Sequence, residues 1–106
     1  MPLWVHEDIL RFMSYGTIMI GKLKEPGTAQ KLVNAAKAWE SREVDGFQST
    51  YSLASDDGTI VVSCVSFESK EKYQALAQDP SQDEWWRTQM APLLDGDPQW
   101  IDGRWL

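Results

Sequence analysis

Apolar residues recur along this chain in two rhythms, and the order of those rhythms predicts an architecture. From Thr17 to Leu23, Ile18 and Ile20 alternate with Thr17, Met19 and Gly21, and both sets are largely apolar. That is the pattern of a strand buried on both faces. Lys24-Glu25-Pro26-Gly27 reads as a turn, and Thr28 as the N-cap of a helix. Ala29, Leu32, Val33, Ala36 and Trp39 follow at helical spacing on one face, with Lys31, Asn34 and Lys37 on the other. Asp45-Gly46 ends that element. Phe47 to Ala54 and Thr59 to Phe67 predict two strands joined by the short hairpin loop Ser55-Asp56-Asp57-Gly58. The later strand is rich in β-branched residues. On the earlier one, Phe47, Ser49, Tyr51 and Leu53 are expected on one face.

Ser69 predicts the N-cap of a further helix that turns Tyr73, Leu76 and Ala77 inward. Asp79-Pro80 stops it and starts another, with Asp79 as N-cap and Pro80 at the first helical position. Ser81 and Glu84 offer a second capping box. Trp86, Met90 and Leu93 stand at i, i+4 and i+7 and predict the buried stripe of this helix. Adjacent helix positions point about 100° apart, so Trp85 is expected at the rim. Pro92 should end or kink the helix. Asp95-Gly96-Asp97-Pro98 then turns the chain into a last strand, Gln99 to Trp105.

The resulting order, β-α-β-β-α-β, is an α+β, ferredoxin-like arrangement with a four-stranded antiparallel sheet. Helices on one side leave the other sheet face bare. That face is apolar here, so a second copy is expected against it. The ferredoxin-like domain is expected over residues 15–106, with residues 1–14 as an N-terminal extension in which Val5, Ile9 and Phe12 share one face of a short helix.

Composition narrows the functional classes. The 106 residues fit one domain, and sixteen acids against ten Lys and Arg give a formal net charge of −6. That argues against nucleic acid, which is bound by neutralising phosphates, and against anionic membrane surfaces. Acids concentrate in residues 79–106 and bases in residues 22–42. The lone Cys64 excludes an internal disulfide and fits a reducing, cytoplasmic setting. No stretch approaches the roughly 20 apolar residues of a membrane span. The first twelve residues lack the basic start and apolar core of a secretory signal.

Six tryptophans are the most distinctive part of the composition. In Trp85-Trp86-Arg87, a rim indole at Trp85 is placed to stack on an aromatic ligand, and Arg87 to orient an anionic or phenolate group. The alternative is that Trp85 covers a dimer seam. Trp39 closes the apolar stripe of its helix as core or as pocket lining. Tyr51 carries a hydroxyl that needs a partner, structural or ligand. Cys64 has apolar neighbours and no nearby histidine, which describes an inert thiol rather than a nucleophile. Asp79, Asp83 and Glu84 cluster, but a helix N-terminus favours acids on its own account. With one histidine, His6, neither a metal set nor a Ser-His-Asp set can be assembled.

Three segments carry a family resemblance. They are Gly16-Thr17-Ile18-Met19-Ile20-Gly21, then Val44-Asp45-Gly46-Phe47, then Val65-Ser66-Phe67-Glu68-Ser69-Lys70-Glu71-Lys72-Tyr73. From Tyr15 to about Trp105 the chain resembles the antibiotic biosynthesis monooxygenase-like family of the dimeric α+β barrel superfamily. The resemblance implies a homodimer whose two sheets form a barrel. It also implies one of several fates: cofactor-free oxygenation of polycyclic phenols or quinols, haem degradation, or no known activity. Haem-degrading members use a histidine in the second helical region, where this chain has none. The asparagine of the oxygenase site is not matched in Thr17 to Leu23. The catalytic residues are therefore left unassigned, no cofactor and no metal are expected, and Trp39, Tyr51, Trp85 and Arg87 are the candidate ligand-binding residues. Two readings follow. One is a dimer that binds or oxidises a small aromatic molecule without cofactor. The other is a non-catalytic dimer that binds a ligand or another protein.

Overall fold

The strand expected to be covered on both faces lies at the centre of the sheet. In the computed structural model, which describes residues 14–106, β1 (Tyr15–Lys22) pairs with a strand on each side. The expected N-terminal helix and His6 lie outside the described residues. The chain continues through α1 (Ala29–Glu40), β2 (Phe47–Ala54), β3 (Ile60–Phe67), α2 (Lys70–Ala77) and α3 (Pro80–Trp85) to β4 (Gln99–Arg104). Between α3 and β4 run a π-helical turn, Trp86–Met90, and a 3-10 turn, Ala91–Leu93. The sheet order is β2-β3-β1-β4 and every pair is antiparallel, the ferredoxin-like arrangement. Ile18 opposes Cys64 on one side and Ile101 on the other.

Period-two alternation sorts the strands' side chains between a helix-covered face and an open one. Met19, Leu23 and Val61 point under the helices and are buried with Leu32, Met90 and Leu94. On the open face, Tyr51, Leu53 and Ile101 are 74%, 62% and 47% exposed. Among the described residues, no helix is long and apolar enough to cross a membrane.

Local signals behave as their chemistry dictates, with three departures. Ser69 caps α2 by accepting from the Lys72 amide at 3.2 Å, and Asp79 caps α3 by accepting from the Ser81 amide at 2.9 Å. Thr28 does not cap α1 through its side chain: its hydroxyl donates to the Glu25 carbonyl at 2.7 Å, closing the preceding turn instead. Ser81 likewise gives its hydroxyl to Asp79, and Glu84 pairs with Arg87, so the second capping box does not form.

The second departure is a bulge. Phe47 opposes Phe67 while Ser49 opposes Ser66, so Gln48 is an extra residue. One inserted residue reverses the facing of everything before it. Phe47 therefore packs edge-on against Trp39 beneath the helices, at 5.3 Å, instead of sharing the open face with Ser49, Tyr51 and Leu53.

The third departure concerns the tryptophan pair. The turn after α3 closes on a bond from the Ala91 amide to the Trp86 carbonyl, an i→i+5 spacing. Trp85 is not left at the rim: it packs on Trp39 and Trp86 packs on Trp100, so both adjoin the buried core although their backbone is α-helical.

Close approach of backbone explains Gly16. A Cβ there would meet the Val65 carbonyl oxygen and stand 2.6 Å from Trp105 Nε1.

Candidate functional site

A cleft opens between the helix-covered face of the sheet and the three helices. Each wall is set by an element already described. The end of α1 brings Trp39, which is 6% exposed. The end of α3 brings Trp85, and the start of the π-helical turn brings Trp86. β4 brings Trp100 through strand alternation, because Trp100 opposes the buried Met19. The inner cavity has a volume of about 100 Å³. It opens past Trp86 and Trp100 into a mouth of about 220 Å³, bordered by Tyr73, Leu76, Gln82 and Asp83.

The aromatic rings touch in sequence around this space. Trp100 lies 5.0 Å from Trp86, Trp86 6.5 Å from Trp85, and Trp85 5.7 Å from Trp39. The chain of rings continues through Phe47 and Phe67 to Tyr73 and Tyr15, with no centroid spacing above 6.0 Å in that part. Tilted and edge-on pairs at these distances are the favoured geometry for aromatic quadrupoles.

Two polar groups meet at the mouth. The Tyr73 hydroxyl donates to Asp102 Oδ1 at 3.0 Å, joining α2 to β4. Burial first, and the Asp102 carboxylate with it, push the Tyr73 phenol up to about 12, against an opposing contact from the Thr17 hydroxyl. Tyr73 is thus a neutral donor at ordinary pH. On the far side of Trp39 lies a third hollow of about 300 Å³, whose polar border includes Arg42, Asp45, Lys72 and Asp79. There Lys72 Nζ meets Asp45 Oδ2 at 2.6 Å, and that partner holds the ammonium above its ordinary range.

The four sequence-derived candidates separate into three places. Trp39 and Trp85 meet in the cleft. Tyr51 lies on the opposite, open face of the sheet, in a hollow of about 270 Å³ shared with Ser49, Cys64, Ser66 and Trp105. Arg87 is exposed on the π-helical turn, where its guanidinium binds Asp83 at 3.0 Å and Glu84 at 2.6 Å; it lines neither the cavity nor the mouth. Its own helix, not a ligand, meets its charge. Cys64 is a free, half-buried thiol. Among the described residues, no group of histidine, cysteine and carboxylate side chains is arranged to hold a metal ion.

Sequence reasoning missed Trp100, Asp102 and Gln82 as parts of this site. The first two stand at i and i+2 on the last strand, so they share its helix-covered face. An acid two residues from a tryptophan on a half-buried strand was the available signal. Gln82 gave none.

Several solved structures share this arrangement. A monooxygenase of Streptomyces coelicolor, from the gene ActVA-Orf6 and in complex with nanaomycin D, is 31% identical, with 87% of each chain covered and a TM-score of 0.73. An antibiotic biosynthesis monooxygenase-like protein of Nitrosomonas europaea is 18% identical, covering 89% of this chain and 91% of that one, with a TM-score of 0.69. A dimeric ferredoxin-like protein of unknown function from Jannaschia sp. is 11% identical, covering 84% of this chain and 96% of that one, with a TM-score of 0.64. At those lower identities the likeness concerns the fold alone. No family model and no curated protein matches the chain.

Proposed function

The chain belongs to the antibiotic biosynthesis monooxygenase-like family, and from that premise we propose that it binds a flat phenolic molecule in its cleft and oxidises it with dioxygen, without a cofactor. The observation that carries this reading is the cleft: four indoles around a small cavity, with the Tyr73–Asp102 pair at its mouth. Apolar walls with a few convergent polar groups are the usual form of a small-molecule site. Trp39 and Trp85 are the proposed stacking residues. The inner cavity is smaller than the roughly 150 Å³ that accommodates a benzene ring. A ligand would therefore extend into the mouth, beside Tyr73.

For a phenol the balanced reaction is phenol plus dioxygen giving quinone plus water. The ring C–H and the O–H bonds are lost, one oxygen atom becomes the new carbonyl, and the other leaves in water with both hydrogens. The electrons come from the substrate anion. The protein's work is to bind, orient and take up the phenolic proton. A substrate hydroxyl bonded to Tyr73 Oη would pass its proton through that oxygen to Asp102.

The barrel partner is proposed to be a second copy. Ile18, Ile20, Tyr51, Leu53, Val62 and Ile101 share the open face, and burying such a face is what an obligate pair does. The dimeric relative from Jannaschia supports this arrangement. Tyr51 then belongs to the seam between subunits rather than to the ligand. A reducing cytoplasm is the proposed location, consistent with Cys64 as a free thiol.

The test combines tryptophan fluorescence with an oxygen electrode, using 1-naphthol and 9-anthracenol as probes. Quenching with oxygen uptake is expected. Tyr73→Phe and Asp102→Asn should lower uptake ~100-fold while changing binding only a few-fold. Quenching without uptake would favour the second reading, a non-catalytic ligand-binding dimer, which the near-filling of the cleft by its own indoles supports. No quenching would remove both.

A further inference from the structure

Gln82 stands where three hollows meet. With Leu76 it borders the inner cavity, the mouth and the hollow beyond Trp39. One contact orients its carboxamide: Trp39 Nε1–H donates to Gln82 Oε1 at 2.6 Å. An indole nitrogen is a donor only, so the amide atom it meets must be the oxygen. The amide nitrogen is thereby directed away from Trp39. Among the described residues it has no hydrogen-bond partner. Neither end of this contact is loose. Trp39 is wedged between Phe47 at 5.3 Å and Trp85 at 5.7 Å, and the Gln82 amide N–H of the backbone is tied to the Asp79 carbonyl at 3.0 Å.

The result is a fixed, unpaired donor at the junction of an aromatic cleft. Other polar groups nearby are engaged: Tyr73 gives its hydrogen to Asp102, and Arg87 is held by Asp83 and Glu84. We infer that the Gln82 amide nitrogen is a ligand-binding donor that receives an oxygen acceptor, a ring carbonyl or phenolate, on the edge of the bound aromatic. This rests on the reading that the cleft takes a flat aromatic, and it adds the group that selects among them. A ligand filling the cleft displaces water from the amide. A carbonyl replaces the lost hydrogen bond; a hydrocarbon of the same outline leaves the donor unsatisfied and binds more weakly for it.

The experiment compares 9-fluorenone with fluorene, which share an outline and differ at one carbonyl, by quenching of tryptophan fluorescence. The wild-type protein should prefer fluorenone by ~10-fold, the value of one satisfied donor. Gln82→Glu keeps an oxygen for Trp39 and removes the donor; Gln82→Met removes both ends. Each should abolish the preference while leaving fluorene affinity within ~3-fold. Trp39→Phe, which frees the amide to rotate, should weaken the preference with Gln82 in place. A preference that survives in both Gln82 variants would overturn the assignment. So would a loss of fluorene binding as large as that of fluorenone, which would mean Gln82 only shapes the cleft. Wild-type protein that binds both ligands equally would leave the aromatic cleft standing and remove the donor. Wild-type protein that binds neither would remove the cleft reading, and the donor with it.

Discussion

Tyr73 and Asp102 stand 29 positions apart in the chain and 3.0 Å apart in the fold. The contact ties the middle of a helix to the last strand at the mouth of the cleft. Burial, with this contact beside it, holds the tyrosine neutral well beyond its usual range.

The sign of the resulting pH dependence is definite. Tyr73 ionises at about 12 in the folded protein against an ordinary value of 10.0. Below pH 10 both folded and unfolded forms carry the proton, and this contribution to stability is fully present. Between about 10 and 12 the unfolded chain loses the proton first, so stability falls as pH rises. Phenolate absorbance should show a late-titrating step that Tyr73→Phe removes. Asp102→Asn should move that step down, though not fully to the ordinary value, because burial is the larger cause. A titration unchanged by Tyr73→Phe above about pH 11 would contradict the buried, Asp102-bonded placement of Tyr73.

Trp85 and Trp86 should both be structural. Each packs against the core, Trp85 on Trp39 and Trp86 on Trp100. Changing either to Ala should cost about 3 kcal/mol, within the range for truncating a large packed aromatic. Urea denaturation reads the cost directly. A Trp85→Ala protein as stable as wild type would restore the rim position that α-helical spacing suggests.

The open sheet face should respond to charge. Leu53 is 62% exposed and flanked on that face by Tyr51. Leu53→Asp should leave each subunit folded and shift sedimentation from dimer to monomer, since an unpaired carboxylate is costly to bury at an apolar seam. A wild-type protein that sediments as a monomer at micromolar concentration would refute the second copy.

Gly16 should tolerate no side chain. Gly16→Ala drives a methyl into the Val65 carbonyl and toward the Trp105 indole. Overpacking of this kind costs about 1–3 kcal/mol, and more where backbone must move. Thermal melting of the variant measures it; an unchanged melting temperature would mean that β1 and β3 shift apart freely.

Much of the fold was legible because its signals are local. The Ser69 and Asp79 caps, the turn at Gly58 and the alternation in β1 act over a few residues and appear where their chemistry requires. The bulge and the tryptophan pair depend on pairing across the sheet or through the core, whereas Thr28, Ser81 and Glu84 depart locally, each taking a nearby partner other than the expected one. Nothing near Gln48 announces a bulge, because the bulge exists only relative to Ser66 and Phe67 on another strand. Trp85 and Trp86 are both covered because Trp39 and Trp100 reach them from other elements, which the helix's own periodicity does not describe. Arg87 looked available to a ligand because its partners, Asp83 and Glu84, were read as caps. The site was the least legible part, for the same reason. Tyr73 with Asp102 and Trp39 with Gln82 are each joined only once the chain is folded.

The sheet order carries a consequence for how the protein is made. Trp100 and Asp102 both belong to β4, the last strand, which pairs with the first, Tyr15 against Arg104. On the ribosome, every other wall of the cleft emerges earlier. Until β4 has emerged, β1 has an open edge on that side and Trp86 lacks the ring it rests on. The nascent chain thus exposes indole surface beside an unpaired strand, the combination from which premature association begins. Closure must wait for the most distant pairing in the sheet, which makes it slow as well as late. Slowed synthesis of β4 should therefore lengthen the interval in which this chain depends on chaperones, whereas a pause after the β2–β3 hairpin should not.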